Sequence, residues 1–155
     1  MKTSNFLNKL KKEKKLELIE PSREVRESYL KKSESNLVSA KILLKSNMLE
    51  ESVSLAYYSM YHILIALLFY VGIKSENHTA SIVLLKEVFN IDNFSIKEAK
   101  KERIDKQYYT GFEIKRKDVE DTIEKAENFI SEMIDFISKV NNEDIREYRK
   151  RFEKS

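Results

Sequence analysis

A basic segment in the second half of the chain carries the residues best suited to contacting phosphate. Residues 97–117 hold eight basic and four acidic side chains, around the tyrosine pair Tyr108 and Tyr109. Arginine can hold a phosphate through two parallel hydrogen bonds, and aromatic rings stack on nucleobases. Arg103 and Lys106, together with this tyrosine pair, therefore form a candidate site for a nucleotide or RNA. The alternative is a solvated helix face whose tyrosines pack against a neighbouring helix.

A second group of polar side chains lies in an unusually apolar segment, residues 49–72. This segment contains four of the eight tyrosines and one of the two histidines of the chain. A helix that is hydrophobic on every side must be covered by other elements. Its polar groups then need hydrogen-bond partners or must line a cleft. We place Tyr58 and His62 in the candidate binding site, with hydrogen-bonded core residues as the alternative.

Catalysis of RNA cleavage would need one group to activate the 2′-hydroxyl and another to stabilise the phosphorane. Arg103 suits the second task, and Tyr108 is the candidate partner along the same segment. A neutral tyrosine, with a pKa of about 10, is a poor general base at pH 7. The histidines are His62, in an apolar helix, and His78, in a polar loop or at a helix start. The sequence therefore favours a binding protein over an enzyme, and an endoribonuclease if it is an enzyme.

Composition excludes several other kinds of site. The chain has 155 residues, no cysteine and a net charge of +3. Disulfides, thiolate metal sites and cysteine nucleophiles are thus excluded. The spacing of the two histidines matches no zinc signature. We expect neither a metal nor a cofactor.

The longest apolar stretch, residues 55–71, raises the question of a membrane span. It comprises 17 positions and is interrupted by Ser59, His62 and several tyrosines, below the roughly 20 residues that a transmembrane helix needs. The first 20 residues are charged and lack the apolar core of a signal peptide. We therefore expect a cytoplasmic protein without a membrane partner.

Helix-forming residues dominate the chain, with only two glycines and one proline. This composition predicts an all-α fold, and long helices with short connections predict an up-and-down antiparallel bundle. We expect four to five bundle helices with extra N- and C-terminal helices. The predicted helices cover residues 5–19, 22–46, 49–71, 79–89, 95–109, 118–140 and 143–152.

Local signals mark the ends of several of these helices. Ser22, after the only proline, is a predicted N-cap, and Asn47 and Gly72 suit the left-handed residue that follows a helix. Ser95 begins a capping-box pattern, and Gly111, which lies outside the residues that the structure describes, is predicted to close the same helix.

The predicted helices divide the chain into three parts. Residues 1–20 form a basic N-terminal arm or helix, residues 21–141 the bundle, and residues 142–155 a charged C-terminal helix or tail. A chain of 155 residues is expected to form a single domain.

Several short motifs together resemble the HEPN domain family (higher eukaryotes and prokaryotes nucleotide-binding). Residues 56–62, AYYSMYH, followed by ALL and Gly72, are similar to the family signature AYYAMFH…ALL…G. Residues 74–78 resemble its K-x-H position, and residues 103–108, RIDKQY, its R-x-x-A-D-Y element. Residues 118–130 match the last bundle helix. The resemblance extends over about residues 29–140.

The resemblance implies a bundle that usually forms a homodimer. Many members are partners of minimal nucleotidyltransferases in toxin–antitoxin pairs. Some are metal-independent ribonucleases with an R-x4–6-H motif at the dimer cleft, whereas others are binding modules. This chain departs from the nuclease motif, because tyrosines and a threonine stand where the histidine would follow Arg103. In related pairs the partner enzyme transfers nucleotides onto a tyrosine, which here would be Tyr108 or Tyr109.

Three functions follow from these observations, in order of preference. The first is a nucleotide- or RNA-binding and partner-docking module, one half of a toxin–antitoxin-type pair with a minimal nucleotidyltransferase. The second is a ribonuclease toxin that uses Arg103 with a tyrosine or histidine in a dimer cleft. The third is a purely structural helical bundle.

Overall fold

The computed structural model describes residues 2–108 and 113–155, apart from the side chains of residues 105–108. The described helices are α1 (Lys2–Lys12), α2 (Arg23–Lys45), α3 (Leu49–Val71), α4 (His78–Glu87), α5 (Phe94–Tyr108), α6 (Arg116–Lys139) and α7 (Asn142–Lys154). Two strands of three residues, β1 (Leu16–Leu18) and β2 (Ile73–Ser75), pair antiparallel. The all-α prediction is confirmed, with this small sheet as an addition.

The predicted ends of α2 and α3 are confirmed. Ser22 caps α2, because its Oγ accepts a hydrogen bond from the backbone N–H of Val25 at 3.1 Å. Asn47 and Gly72 adopt left-handed conformations, with φ of 57° and 82°. The chain can therefore reverse after each helix, and α2 and α3 lie against each other as neighbours.

The N-terminal helix is shorter than predicted. It ends at Lys12, Lys14 turns the chain with φ of 59°, and β1 follows. In the sheet Leu16 pairs with Ser75 and Leu18 with Ile73. The strands are joined only through α2 and α3, so local periodicity contains no signal for their pairing.

The predicted capping box at Ser95 is wrong. The carbonyl of Asn93 accepts from the N–H of Lys97 at 3.1 Å, and α5 already begins at Phe94. The side chain of Asn93 is buried and donates to the carbonyl of Ile82 in α4 at 2.9 Å. This tertiary bond holds Asn93 at the start of α5, so Ser95 lies inside the first turn of the helix and not at its N-cap.

Helix α3 forms the centre of the fold and contacts α2, α4, α5, α6 and α7. Among the described helices, α3 alone is long and apolar enough to cross a membrane. It has 23 residues, more than the 17 apolar positions from which the sequence predicts that it is too short. However, 72% of its apolar 18-residue window is buried inside the structure. The neighbouring helices cover α3 on several sides, as predicted, and this burial explains why the helix is apolar almost all round.

In residues 118–140 the apolar side chains recur at helical spacing, which predicts a core-facing stripe of Val119, Ile123, Ala126, Ile130, Met133, Ile134 and Ile137. Helix α6 packs this face on the core. Ile134 is the exception, because it is 53% exposed while its neighbour Met133 is buried. Ile134 therefore lies at the edge of the face that α6 buries, on the side away from the other helices. The predicted core residues of α6 that are buried are Val119, Ile123, Ala126, Ile130, Met133 and Ile137.

Both terminal helices pack against the rest of the fold. Leu7 and Leu10 of α1 and Phe152 of α7 belong to the same buried cluster as α3. Lys11 Nζ donates to the backbone carbonyl of Phe152 at 2.7 Å. Arg149 Nη1 donates to the carbonyls of three residues where β1 and the end of α3 meet, namely Ile19, Val71 and Gly72.

Candidate functional site

One face of α3 meets the start of α4 and the middle of α5. On α3, residues 54, 57, 58, 61 and 62 recur three or four positions apart and therefore share a face. On α5, Lys100 and Arg103 are likewise three residues apart. We call the group that these elements bring together the aromatic–cationic cluster: Tyr57, Tyr58, Tyr61, His62, His78, Lys100 and Arg103.

Arg103 lies over two tyrosine rings of α3. Its guanidinium carbon is 5.0 Å from the ring centroid of Tyr58 and 5.8 Å from that of Tyr57. Its Nε donates to Oγ of Ser54 at 3.1 Å. A cation over an aromatic face within about 6 Å is electrostatically favourable. Arg103 and Tyr58, which the sequence assigns to the same candidate binding site, are thus in contact.

His78 is the first residue of α4, and its ring packs into the same cluster. It stacks on Tyr61 with ring centroids 3.8 Å apart, and its Nδ1 is hydrogen-bonded to the hydroxyl of Tyr57 at 3.0 Å. Burial, then the charges of Lys100 and Arg103, lower the pKa of His78. Burial raises the pKa of Tyr57. At pH 7 the cluster therefore holds a neutral imidazole beside a protonated phenol.

His62 joins the cluster to α2. Its Nδ1 donates to Oδ1 of Asn36 at 2.6 Å, which leaves Nε2 as the acceptor nitrogen of the neutral ring. The ring stacks on Tyr58, with centroids 5.7 Å apart. Burial, with smaller effects of Lys32 and His78, lowers the pKa of His62 to about 4. His62 is therefore a neutral, hydrogen-bonded residue at the edge of the core.

Lys100 places a second positive charge beside His78 and Arg103. Its Nζ donates to Oγ1 of Thr79, the second residue of α4, at 2.7 Å. Burial lowers the pKa of Lys100, and the charge of Arg103 lowers it further. The two cations therefore repel each other, and an anion at this position would offset that repulsion.

A groove of about 290 Å³ adjoins the cluster on the side of α2 and β2. The rings of Tyr29 and Phe69 stack at its edge, with centroids 5.6 Å apart and planes within 9°. We call it the aromatic groove. Its lining residues are Tyr29, Tyr61, His62, Ile65, Phe69, Lys74, Ser75, Glu76 and His78.

The structure brings together part of the site that the sequence predicts. Tyr58, His62 and Arg103 lie in the cluster. The side chains of Lys106, Tyr108 and Tyr109 lie outside what the structure describes, so their proposed roles stay predictions. In the described residues, no group of three or more histidine, aspartate or glutamate side chains could hold a metal ion.

Four members of the cluster and the whole groove are not predicted from the sequence. The sequence places Tyr57 and Tyr61 only among the polar groups of the apolar helix, His78 in a loop or at a helix start, and Lys100 in the basic segment. The three-residue spacing of Lys100 and Arg103 was the available signal, since it places both charges on one helix face. No comparable signal linked Tyr29 to Phe69, because their contact joins two different helices.

The fold and this face define an all-α helical bundle with a cationic, tyrosine-rich site on its central helix. The HEPN domain profile matches residues 26–140, and the chain belongs to the HEPN domain family. It is also similar to UPF0332 protein PH1297 of Pyrococcus horikoshii, at 43% identity over 56 residues. That match covers 36% of this chain and only 39% of the relative.

Acidification should reduce stability through His62. In the unfolded chain a histidine titrates near 6.5, whereas in the fold His62 titrates at about 4. Between these values the unfolded state binds more protons, so the free energy of unfolding falls as the pH drops from about 6.5 to about 4. Above about pH 6.5, His62 makes its full contribution to the free energy of unfolding. Urea unfolding at several pH values measures it.

The control for this prediction is His62→Gln, which removes the titrating group and leaves His78 in place. Its free energy of unfolding should decline less steeply between pH 6.5 and pH 4.5 than that of the wild type. Equal slopes would show that His62 does not carry the effect.

Proposed function

We propose that this HEPN domain is a binding module for a phosphorylated ribonucleotide, either free or within an RNA strand. The aromatic–cationic cluster is the proposed site. The observation that carries the proposal is the guanidinium of Arg103 over Tyr57 and Tyr58, beside the partly buried cation of Lys100. Guanidinium groups recognise phosphate. The half-buried ring of Tyr58 can stack on a base, whereas the ring of Tyr57 is fully buried and supports the site from within.

The start of α4 supports the same proposal. This helix has ten residues and no acidic side chain in its first turn. Its N-terminal end carries a partial positive charge that favours anions. Lys100 is hydrogen-bonded to Thr79 at this end. Lys100, Arg103 and the N-terminal end of α4 therefore all favour a negatively charged ligand at this position.

The test is binding of a short fluorescent single-stranded RNA, measured by anisotropy at several salt concentrations. Two phosphate contacts predict that log K falls with log salt with a slope of about −1.4. A saturable isotherm with that dependence supports the proposal. Absence of saturable binding, or a slope near zero, would contradict it.

An endoribonuclease is the second candidate, and the position of His78 favours it. No histidine follows Arg103 at the spacing of the nuclease motif, but the fold packs His78 against Tyr57, whose ring Arg103 also covers. A neutral imidazole can accept the proton of the 2′-hydroxyl at pH 7. Arg103 would then stabilise the charge of the phosphorane.

If the chain is this enzyme, it should cleave RNA in the presence of EDTA. His78→Gln should then lower the cleavage rate by about 100-fold or more, the usual contribution of a general base. RNA affinity should change much less. His62→Gln removes the other histidine of the cluster, which is hydrogen-bonded to Asn36, and should lower cleavage only as far as it lowers RNA affinity. A wild-type protein that leaves RNA intact at high concentration would exclude this candidate.

We also propose the partners that the family resemblance implies, a second copy of the chain and a minimal nucleotidyltransferase. Val38 and Ile42, one turn apart on α2, are 52% and 58% exposed and support an association surface. Sedimentation of the wild type beside Ile42→Lys tests the dimer, and a monomeric wild type would contradict it. Co-purification with the product of an adjacent reading frame, and mass spectrometry of Tyr108 and Tyr109, test the transferase.

The cytoplasmic location and the absence of a membrane partner remain part of this proposal. A purely structural bundle remains the alternative if neither RNA nor partner binds. In that case Arg103→Ala should alter only stability, through the loss of its contacts with α3.

A further inference from the structure

We propose that the aromatic groove is a slot for a single unpaired nucleobase, next to the phosphate-binding cluster. The ligand class would then be an unpaired base on a phosphorylated ribose, and duplex RNA would be excluded. This inference rests on the proposed function, since it extends the site from the cluster to the groove. Tyr61, His62 and His78 belong to both and make the two continuous.

The lining of the groove suits the flat face of a base. Rings from α2, α3 and α4 line it, and Tyr29 lies against both Phe69 and His62, with centroid distances of 5.6 and 5.7 Å. The polar groups at the β2 end are Lys74, Ser75 and Glu76. Ligand pockets commonly combine an aromatic lining with a few polar groups that orient the ligand.

Positive charges lie on two sides of this groove. Lys32 Nζ is 5.7 Å from the ring centroid of Tyr29, and its charge contributes to the lowered pKa of His62. Lys100 and Arg103 lie on the other side, beside His78. A strand that places one base in the groove would therefore meet cations at the phosphates before and after it.

This arrangement favours an unpaired base over a paired one. The groove is a recess in the protein surface, so a base must leave its stack to enter it. Freeing a base from its stack and its partner is costly in a duplex and least costly in a single strand. The protein should therefore bind single-stranded RNA more tightly than duplex RNA of the same length.

The experiment compares two probes of equal length, a fluorescent five-nucleotide single-stranded RNA and an abasic ribose-phosphate oligomer. Tyr29→Leu and Phe69→Leu each remove a ring and keep an apolar side chain. Each should weaken RNA binding by about tenfold, the effect of losing one stacked base. Abasic binding should stay within about twofold. Phe94→Leu is the matched control, because Phe94 is 61% exposed outside the groove.

The outcomes separate the slot from the proposed function. If the groove variants bind both probes like the wild type, or lose affinity for both probes equally, the nucleobase slot is wrong. A loss of affinity for both probes in Arg103→Ala would still support phosphate binding by the cluster. If the wild type binds neither probe, both proposals fail. Duplex RNA that binds as tightly as the single strand would overturn the slot. AMP that competes with the RNA and is sensitive to Tyr29→Leu would identify the free nucleotide as the source of the base.

Discussion

Replacing Arg103 with alanine should weaken binding of short single-stranded RNA by about 10- to 100-fold. Hydrogen bonds to charged groups contribute about 1.5–3 kcal/mol each, and bidentate guanidinium–phosphate contacts are among the strongest. The substitution also removes the cation that lies over Tyr57 and Tyr58. Anisotropy titration of the labelled RNA, with circular dichroism to verify folding, measures the effect.

Lys101→Ala is the matched control for this substitution. Lys101 is an exposed neighbour on α5 with the same charge, so its removal changes the net charge equally. We expect a loss of only a few fold, because one general electrostatic contact is removed. Arg103→Lys should lie between the two, since it retains the charge without the planar fork. Equal losses for Lys101→Ala and Arg103→Ala would show that only net charge matters.

Replacing Gly72 with alanine should have the largest effect on stability. Gly72 has φ of 82°, a region that costs an L-residue about 1–2 kcal/mol. A Cβ there would also collide with the guanidinium of Arg149 and the carbonyl oxygen of Ile19, and would lie 3.0 Å from the nitrogen of Pro21. We expect a loss of at least about 3 kcal/mol in the free energy of unfolding, measured by urea denaturation.

The double variant Gly72→Ala with Arg149→Ala separates the causes of this loss. Removing the guanidinium leaves the positive φ and the backbone carbonyl of Ile19 in place. The double variant should therefore not regain the stability of Arg149→Ala alone. A Gly72→Ala protein within 1 kcal/mol of the wild type would contradict the assigned conformation.

Elements with strong local signals were predictable from the sequence. The apolar composition of residues 49–72 indicates a covered central helix, and α3 is that helix. Ser22, Asn47 and Gly72 begin or end a helix through bonds and backbone conformations within one helical turn, so the local sequence is enough to predict these helix ends. Family membership was predictable for a similar reason, since its motifs lie mostly on these helices.

Features that depend on distant partners were mispredicted or missed. The start of α5 is set by the contact of Asn93 with Ile82 on α4. Ile134 fits the apolar period of α6 but lies beyond the surface that the neighbouring helices cover. Pairing of β1 with β2 joins segments separated by two helices.

For the candidate site, residue types along the sequence determined that Arg103 and the tyrosines of α3 are suited to a phosphorylated ligand. Only the tertiary structure decided that His78 and Lys100 join them, and that Tyr29 and Phe69 form a groove beside them. The physical reason is the range of the forces involved. Helix periodicity and capping act over a few residues, whereas the site depends on how the faces of α2, α3, α4 and α5 pack together.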